Sequence, residues 1–324
     1  MATAKATMGG AGLTPSDRQY KLTGLAPLLP PAVAGLTSII TVNFNAGELL
    51  AACARAALLS TAPVELVVVD NASTDDSMDR LRAAVGGDPR LSVIAAGDNL
   101  GFARASNLGL GSSRGDHALF LNPDCLVAPD TIARMRAVMA AHPEAGMAGC
   151  LVLNPDGSEQ AGCRRAVPTP WRSLVRTLGL ARLFPGHRDV FDDFVLAGRP
   201  LPAGPTPVEA ISGAFMLVRR SALEQVGVLD EGYFLHCEDL DWCMRFRAAG
   251  YAILFVPDVT VVHHKGRSGR DRPLRVLWHM HRGMLRFYGK FFRDRYPLPL
   301  MWLVYIGVWL RFAAGALKAL VVGR

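Results

Sequence analysis

The sequence predicts an α/β fold: a mainly parallel, Rossmann-like sheet with helices on both faces. Three observations predict it. Apolar, β-rich runs alternate with helix-patterned stretches through the first half of the chain, as right-handed βαβ units require. One run, VELVVVD at 64–70, is branched and apolar apart from Glu65 and the closing Asp70, as a strand covered on both faces should be. Several of these runs also end on Asn, Asp and Ser at the point where a helix would follow.

Residues 1 to 35 mix Gly, Ala and Pro without periodicity and read as a flexible lead. TSIITVN (37–43) is the first strand, GELLAACARAALLS (47–60) the first helix and VELVVVD the second strand. STDDSMDRLRAAV (73–85) starts with capping residues and continues as a helix. LSVIAA (91–96), FARASNLGLGSS (102–113) and HALFLN (117–122) then give strand, helix, strand. Pro129 opens a helix over 129–143. GMAGCLVLN (146–154) followed by the turn PDGS (155–158) predicts a hairpin. Residues 164–207, rich in Pro, Arg and Gly, read as a long irregular excursion. A strand over 208–220, a helix over 237–250 stopped by Gly250, and a strand over 251–257 complete the domain.

The C-terminus differs. Residues 275–292 follow a basic helical pattern, and 298–310 is an uncharged apolar run that resumes after Arg311. A membrane-spanning helix needs roughly 20 mostly apolar residues and would bury Arg311 near its middle. The expectation is an interfacial helix pair; the alternative is a core helix packed on the domain.

Half of the 324 residues are hydrophobic, 19% are charged and the formal charge is +7. Arginines crowd 267–295, which suits an anionic membrane surface better than nucleic acid, although a solvated basic face would look the same. Six cysteines form no C-x-x-C pair and no zinc spacing. Met1 to Pro31 lacks the apolar core of a secretory signal. A cytoplasmic protein with reduced thiols is expected.

In open α/β sheets, ligands bind beyond the carboxyl ends of the strands. Polar residues gather there: Asn43 and Asn45 after the first strand, Asp70 and Asn71 after the second, and Asn122 and Asp124 after the fourth. The loop after the third strand adds Asn99 and Gly101, with Asn107 in the helix beyond. Each set alone is ordinary turn chemistry; all of them at one sheet edge favour a polar ligand. A G-x-G-x-x-G loop and a Walker A loop are both absent, which removes the dinucleotide and P-loop readings.

The segments SIITVNFN, VVVDNASTDDS, DNLGFARASNLGL, LFLNPDCLV, ISGAFMLVRR and FLHCEDLDWCMRFRAAGYAILFVPDVTVVHHKGRS occur in this order. Together they resemble family 2 glycosyltransferases, most closely the bacterial rhamnosyltransferase-like branch, over about residues 36–290. The resemblance implies the GT-A fold. The catalytic domain is then expected at 36–270, followed at 271–324 by the basic and apolar helices, for which charge and apolar patterning favour peripheral membrane contact. Asp70 would accept hydrogen bonds from the donor's base or ribose, with Asn43, Asn45, Asn71, Asn99, Gly101 and Asn107 around the nucleotide. Asn122-Pro123-Asp124 stands where the family has D-x-D. Asp124 would then hold Mg²⁺ or Mn²⁺ on the donor diphosphate. His263, matching an H-x-x-G-x-S pattern, would be a second metal or diphosphate ligand, with Lys265 and Arg267 as diphosphate contacts. Gly213 would let the donor sugar or acceptor come close.

Glu238-Asp239-x-Asp241 could simply complement a helix N-terminus. The resemblance makes Asp239 the base that deprotonates the acceptor, with Glu238 second in line. The expected activity is an inverting, metal-dependent transfer of one sugar from a nucleotide-diphosphate donor to a glycan or lipid-linked acceptor at the inner face of the plasma membrane. L-rhamnose from dTDP-rhamnose is the donor the resemblance favours. Q-x-x-R-W and multiple spans are absent, which argues against processive polymerisation. A nucleotidyltransferase would want a Gly-rich basic loop after the first strand. The remaining alternative is a non-catalytic relative that scaffolds an assembly complex.

Overall fold

The computed structural model describes residues 29–184, 187, 190, 192–264 and 273–322. Its central sheet has nine strands. Four parallel strands form one half: β1 (Val33–Asn43), β2 (Val64–Asp70), β3 (Leu91–Ala95) and β4 (Gly115–Leu121). The other half is mixed, with β5 (Cys125–Val127), β6 (Ala145–Leu153), β8 (Thr206–Pro207), β10 (Phe215–Arg219) and β11 (Ala252–His263). The order is β3-β2-β1-β4-β10-β6-β11-β5, with β8 alongside β11. Two short strands, β7 (Arg164–Arg165) and β9 (Ala210–Ile211), pair separately. Strand order reverses between β1 and β4, so a crevice opens beyond their carboxyl ends.

The helices of the domain are α1 (Glu48–Leu58), α2 (Ser77–Val85), α3 (Phe102–Leu110), α4 (Thr131–Ala141), α5 (Pro170–Thr177), α6 (Leu180–Leu183), α7 (Arg220–Val226) and α8 (Glu238–Ala248). Side chains alternate across each strand, and the core divides accordingly. Ile39 and Leu119 join one cluster with Leu50, Leu81 and Met135 from α1, α2 and α4. Ile40 and Phe120 join the other with Ala103, Leu223 and Trp242 from α3, α7 and α8.

Several expectations change. β1 begins at Val33, within the predicted lead. The hairpin predicted at 146–158 is short: PDGS turns the end of β6 back through the antiparallel Leu153–Glu159 bridge, with Asn154 N donating to Ser158 O and Gln160 N to Val152 O, while β6 itself is almost wholly buried between β10 and β11. The run 208–220 divides into β9 and β10 around Ser212-Gly213-Ala214, and its end starts α7. The irregular excursion contains α5, whose Thr169 cap accepts from the Arg172 N–H with Pro170 in the first turn. All six cysteines are buried and free.

α9 (Pro273–Phe292) is fixed to the domain by buried Phe287, Tyr288, Phe291 and Phe292 and by charge. Lys290 Nζ donates to Asp230 Oδ2 at 2.8 Å and Asp241 Oδ2 at 2.6 Å, and Arg286 donates to both oxygens of Asp230. Asp241, fully buried, also takes the Arg245 Nε–H at 2.7 Å. Among the described residues, replacing Asp241 with alanine takes the one carboxylate from buried Arg245 and one of two from Lys290, and a loss of about 3–5 kcal/mol of stability is expected. Denaturant unfolding checks it; a change below about 1 kcal/mol would show the network to be superficial.

α10 (Leu298–Val322) packs against α9 through Trp278, which lies 5.5 Å from Trp309 and 5.6 Å from Phe312. Its apolar stretch Leu298–Leu320 has a mean hydropathy of 1.7 and is 11% buried. It is therefore no core helix: Leu298, Trp302, Leu303, Ile306, Leu310 and Leu317 all face outward.

Candidate active site

Asn43, Asp70 and Ala95 lie side by side at the carboxyl edge of β1, β2 and β3. Asn43 is fully buried, and its Nδ2 donates to Ser73 Oγ at 2.9 Å and Ser77 Oγ at 2.8 Å. It holds the β2–α2 loop. Asn45 is left-handed (φ 54°), a conformation asparagine tolerates, and its Oδ1 accepts from Thr74 N at 2.7 Å. Asn71 joins Asn99 (3.1 Å) and the Leu100 N–H (2.8 Å), and Asn99 also accepts from Gly101 N. Gly101 has φ 79°, and a Cβ there would lie 2.5 Å from the Phe234 carbonyl. Asn107, expected beside the nucleotide, ties α3 to the Leu229 backbone through both its amide atoms. These amides are engaged in building the loops. Asp70 differs: its Oδ1 accepts from Ser73 N, while among the described residues Oδ2 has no hydrogen-bond partner.

The end of β4 carries the second group. Asn122 N donates to Ala214 O at 3.0 Å, which places the β9–β10 break beside it. Asp124 is nearly buried, and its Oδ1 lies 3.0 Å from His263 Nε2 at the end of β11. The antiparallel pairing of β5 with β11 brings these two residues together.

His263 is oriented from behind. Gln160 donates its amide N–H to Asn154 Oδ1 (2.9 Å), so its Oε1 faces His263 Nδ1 at 2.7 Å. The imidazole must donate there. Its Nε2 faces the Asp124 carboxylate at 3.0 Å and the Asn122 amide at 3.3 Å. A proton on Nε2 makes this an ion pair; with the ring neutral, carboxylate and lone pair are both acceptors that a cation can bridge. Cys125 lies within 4.8 Å of both ligand atoms. Burial pushes its thiol well above the usual range, and it donates to Ala214 O instead. A hard carboxylate oxygen and one imidazole nitrogen fit Mn²⁺ or Mg²⁺ completed by phosphate oxygens. Gln160→Leu is expected to weaken Mn²⁺ binding about 10–100-fold with the fold intact; titration calorimetry with donor nucleotide checks it, and unchanged affinity would remove Gln160 from the site.

The third group sits at the start of α8. Asp239 Oδ2 accepts from Gly213 N at 3.1 Å and from the Arg165 guanidinium, while Oδ1 accepts from Leu240 N. An added Cβ at Gly213 would lie 3.4 Å from Asp239 Cβ. Gly213 thus lets the Asp239 side chain approach the backbone closely. Gly213 adjoins Ala214, and Ala214 pairs with Asn122, so the Asp239 carboxylate and the Asn122–Asp124 turn both bond to the same Gly213-Ala214 segment. Glu238 is buried, and its Oε2 has no partner among the described residues. Burial, reinforced by the charge of Asp239, pushes its carboxyl up to about 8. Asp241 belongs to the α9 network.

Lys265 and Arg267 lie outside the described residues. Gln160 and Arg165 were not anticipated. They act on residues 103 and 74 positions away, and no local pattern marks such partners.

Comparison with known proteins agrees with this architecture. Residues 38–227 match the model for glycosyl transferase family 2. The chain is 31% identical over 279 residues to the N-acetylglucosaminyl-diphospho-decaprenol L-rhamnosyltransferase of Mycobacterium tuberculosis (strain ATCC 25618 / H37Rv), an alignment covering 82% of this chain and 87% of that protein. Identity to the rhamnosyltransferase WbbL of Escherichia coli (strain K12) is 29% over 169 residues, covering 51% of this chain and 59% of the relative. Among solved structures, the mannosyltransferase PcManGT of Pyrobaculum calidifontis, in complex with GDP-Man and Mn²⁺, superposes with a TM-score of 0.56 at 19% identity, covering 91% of this chain and 79% of that one. S. aureus TarS in complex with UDP-GlcNAc gives 0.52 at 14% identity, covering 84% and 71%. These neighbours share the GT-A fold. With a family model over most of its sheet and a rhamnosyltransferase relative along most of its length, the chain belongs to glycosyl transferase family 2 and is a glycosyltransferase.

Proposed function

We propose that the protein transfers a single sugar, with inversion, from a nucleotide-diphosphate donor to a hydroxyl of a lipid-linked glycan. L-rhamnose from dTDP-rhamnose is the donor we infer, because the mycobacterial relative carries that sugar and a decaprenol-linked acceptor in its name. The observation that carries the reading is the Asp124–His263 pair, oriented by Gln160 and joined to Asp239 through the Gly213-Ala214 segment.

Asp124 and His263 would hold Mg²⁺ or Mn²⁺, and the bound cation would supply positive charge for the donor's two phosphates. Asp70, with Oδ2 available, would take a hydroxyl or N–H of the nucleoside. Asp239 would receive the acceptor's proton as the acceptor oxygen bonds to the anomeric carbon and the diphosphate departs from the opposite face. One base suffices, since inversion requires no covalent enzyme intermediate. The outward apolar face of α10 beside the basic α9 suits peripheral contact with the inner face of the plasma membrane, where such an acceptor resides.

The test is donor binding and hydrolysis across a panel of nucleotide sugars, with Mg²⁺, Mn²⁺ or EDTA, on protein in mild detergent. Metal-dependent selection of one donor is expected. Indifference to every donor and metal would overturn the reading.

A further inference from the structure

Arg165 ends β7, and the pairing of β7 with β9 sets its guanidinium against the first turn of α8. Its Nη2 donates to Asp239 Oδ2 and, at 3.3 Å, to Ile211 O. Its Nε is buried without a partner among the described residues. Beside this ion pair the Glu238 carboxyl is buried with Oε2 equally unpartnered. One arginine therefore serves one of two adjacent carboxyls.

We infer that Arg165 is a positioning residue that places the negative charge of the Glu238–Asp239 pair on Asp239 and leaves the proton on Glu238. The inference rests on Asp239 being the base.

Two neighbouring carboxyls in a desolvated site resist ionising together, so other charges decide which one keeps the proton. The positive end of α8 favours both alike. Among the described residues, the groups facing the pair are Arg165 from β7 and, on or beside α8, Asp241, Cys237 and Cys243. Asp241 is balanced by Arg245 and Lys290. Burial keeps both thiols protonated, that of Cys243 up to about 12. Arg165, in contact with one carboxylate oxygen of Asp239, is the group that distinguishes the two acids. An exchange of roles would leave Asp239 protonated at neutral pH and unable to accept the acceptor's proton.

The test is the pH dependence of kcat and of the donor KM in Arg165→Met, Arg165→Lys and Arg165→Met combined with Glu238→Gln. A base must be ionised to act, so losing its cationic partner moves the acidic limb upward, by roughly one to three pH units. In Arg165→Met, kcat at pH 7 should fall about tenfold or more, recover at alkaline pH, and leave the donor KM within about threefold. Arg165→Lys should keep the limb near its wild-type position. The double variant, with no second acid to compete, should return the limb toward wild type. A rate lowered equally at every pH, or an unmoved limb, would overturn the inference. Should Arg165→Met fail to fold, Arg165→Gln carries the same test. Transfer that survives Asp239→Asn would instead overturn the base assignment, a separate outcome.

Discussion

Replacing Asp124 with alanine is expected to abolish metal-dependent transfer, by roughly 10³-fold or more in kcat/KM, with the fold retained. The size follows from the several kcal/mol that a cation at a departing diphosphate contributes, each 1.4 kcal/mol being worth about tenfold. The fold is retained because, among the described residues, the side chain makes one polar contact at the sheet edge, with His263 Nε2 at 3.0 Å. The backbone of Asp124 keeps its structural bond, accepting from His264 N at 2.9 Å. Activity with Mn²⁺ and the thermal midpoint, measured on the same preparation, check both halves. Near-normal metal-dependent turnover would place the cation elsewhere, and a collapse in stability would make Asp124 a structural residue.

The parallel half of the sheet was legible because its strands have one job. VELVVVD is buried on both faces and says so in composition, and the polar residue closing it marks the edge where a crevice opens. The antiparallel half was not. β6 is as apolar as β2 but lies between partners from 215–219 and 252–263, and no local pattern distinguishes a central strand from a hairpin arm. β5 has three residues, too few for any period to show.

The site divides similarly. Its acids could be found because a carboxylate at a strand end is costly to bury without purpose. The amides could not be assigned: Asn43, Asn45, Asn71, Asn99 and Asn107 sit where a ligand pocket was expected, yet each supports a loop, as a short amide does equally well. Gln160 and Arg165 acquire meaning only through side chains brought from distant parts of the chain.

Replacing Asp239 with asparagine is expected to lower transfer about 10²–10⁴-fold, the range a general base contributes, with donor and metal binding retained. Asparagine keeps one acceptor oxygen, enough for Gly213 N or Leu240 N but not for both, and it cannot take a proton. It also leaves the Arg165 guanidinium facing a neutral amide, and breaking a buried pair on one side costs about 3–5 kcal/mol. A lower thermal midpoint would then confound loss of chemistry with loss of structure. The double variant Arg165→Met/Asp239→Asn separates them, because removing both partners leaves no stranded charge. It should regain stability and remain inactive at every pH, unlike Arg165→Met alone, which should recover in alkaline buffer. If the double variant transferred sugar, Asp239 would be a partner for Arg165 and nothing more. Glu238, relieved of the Asp239 charge that favours its protonation, would then be the base.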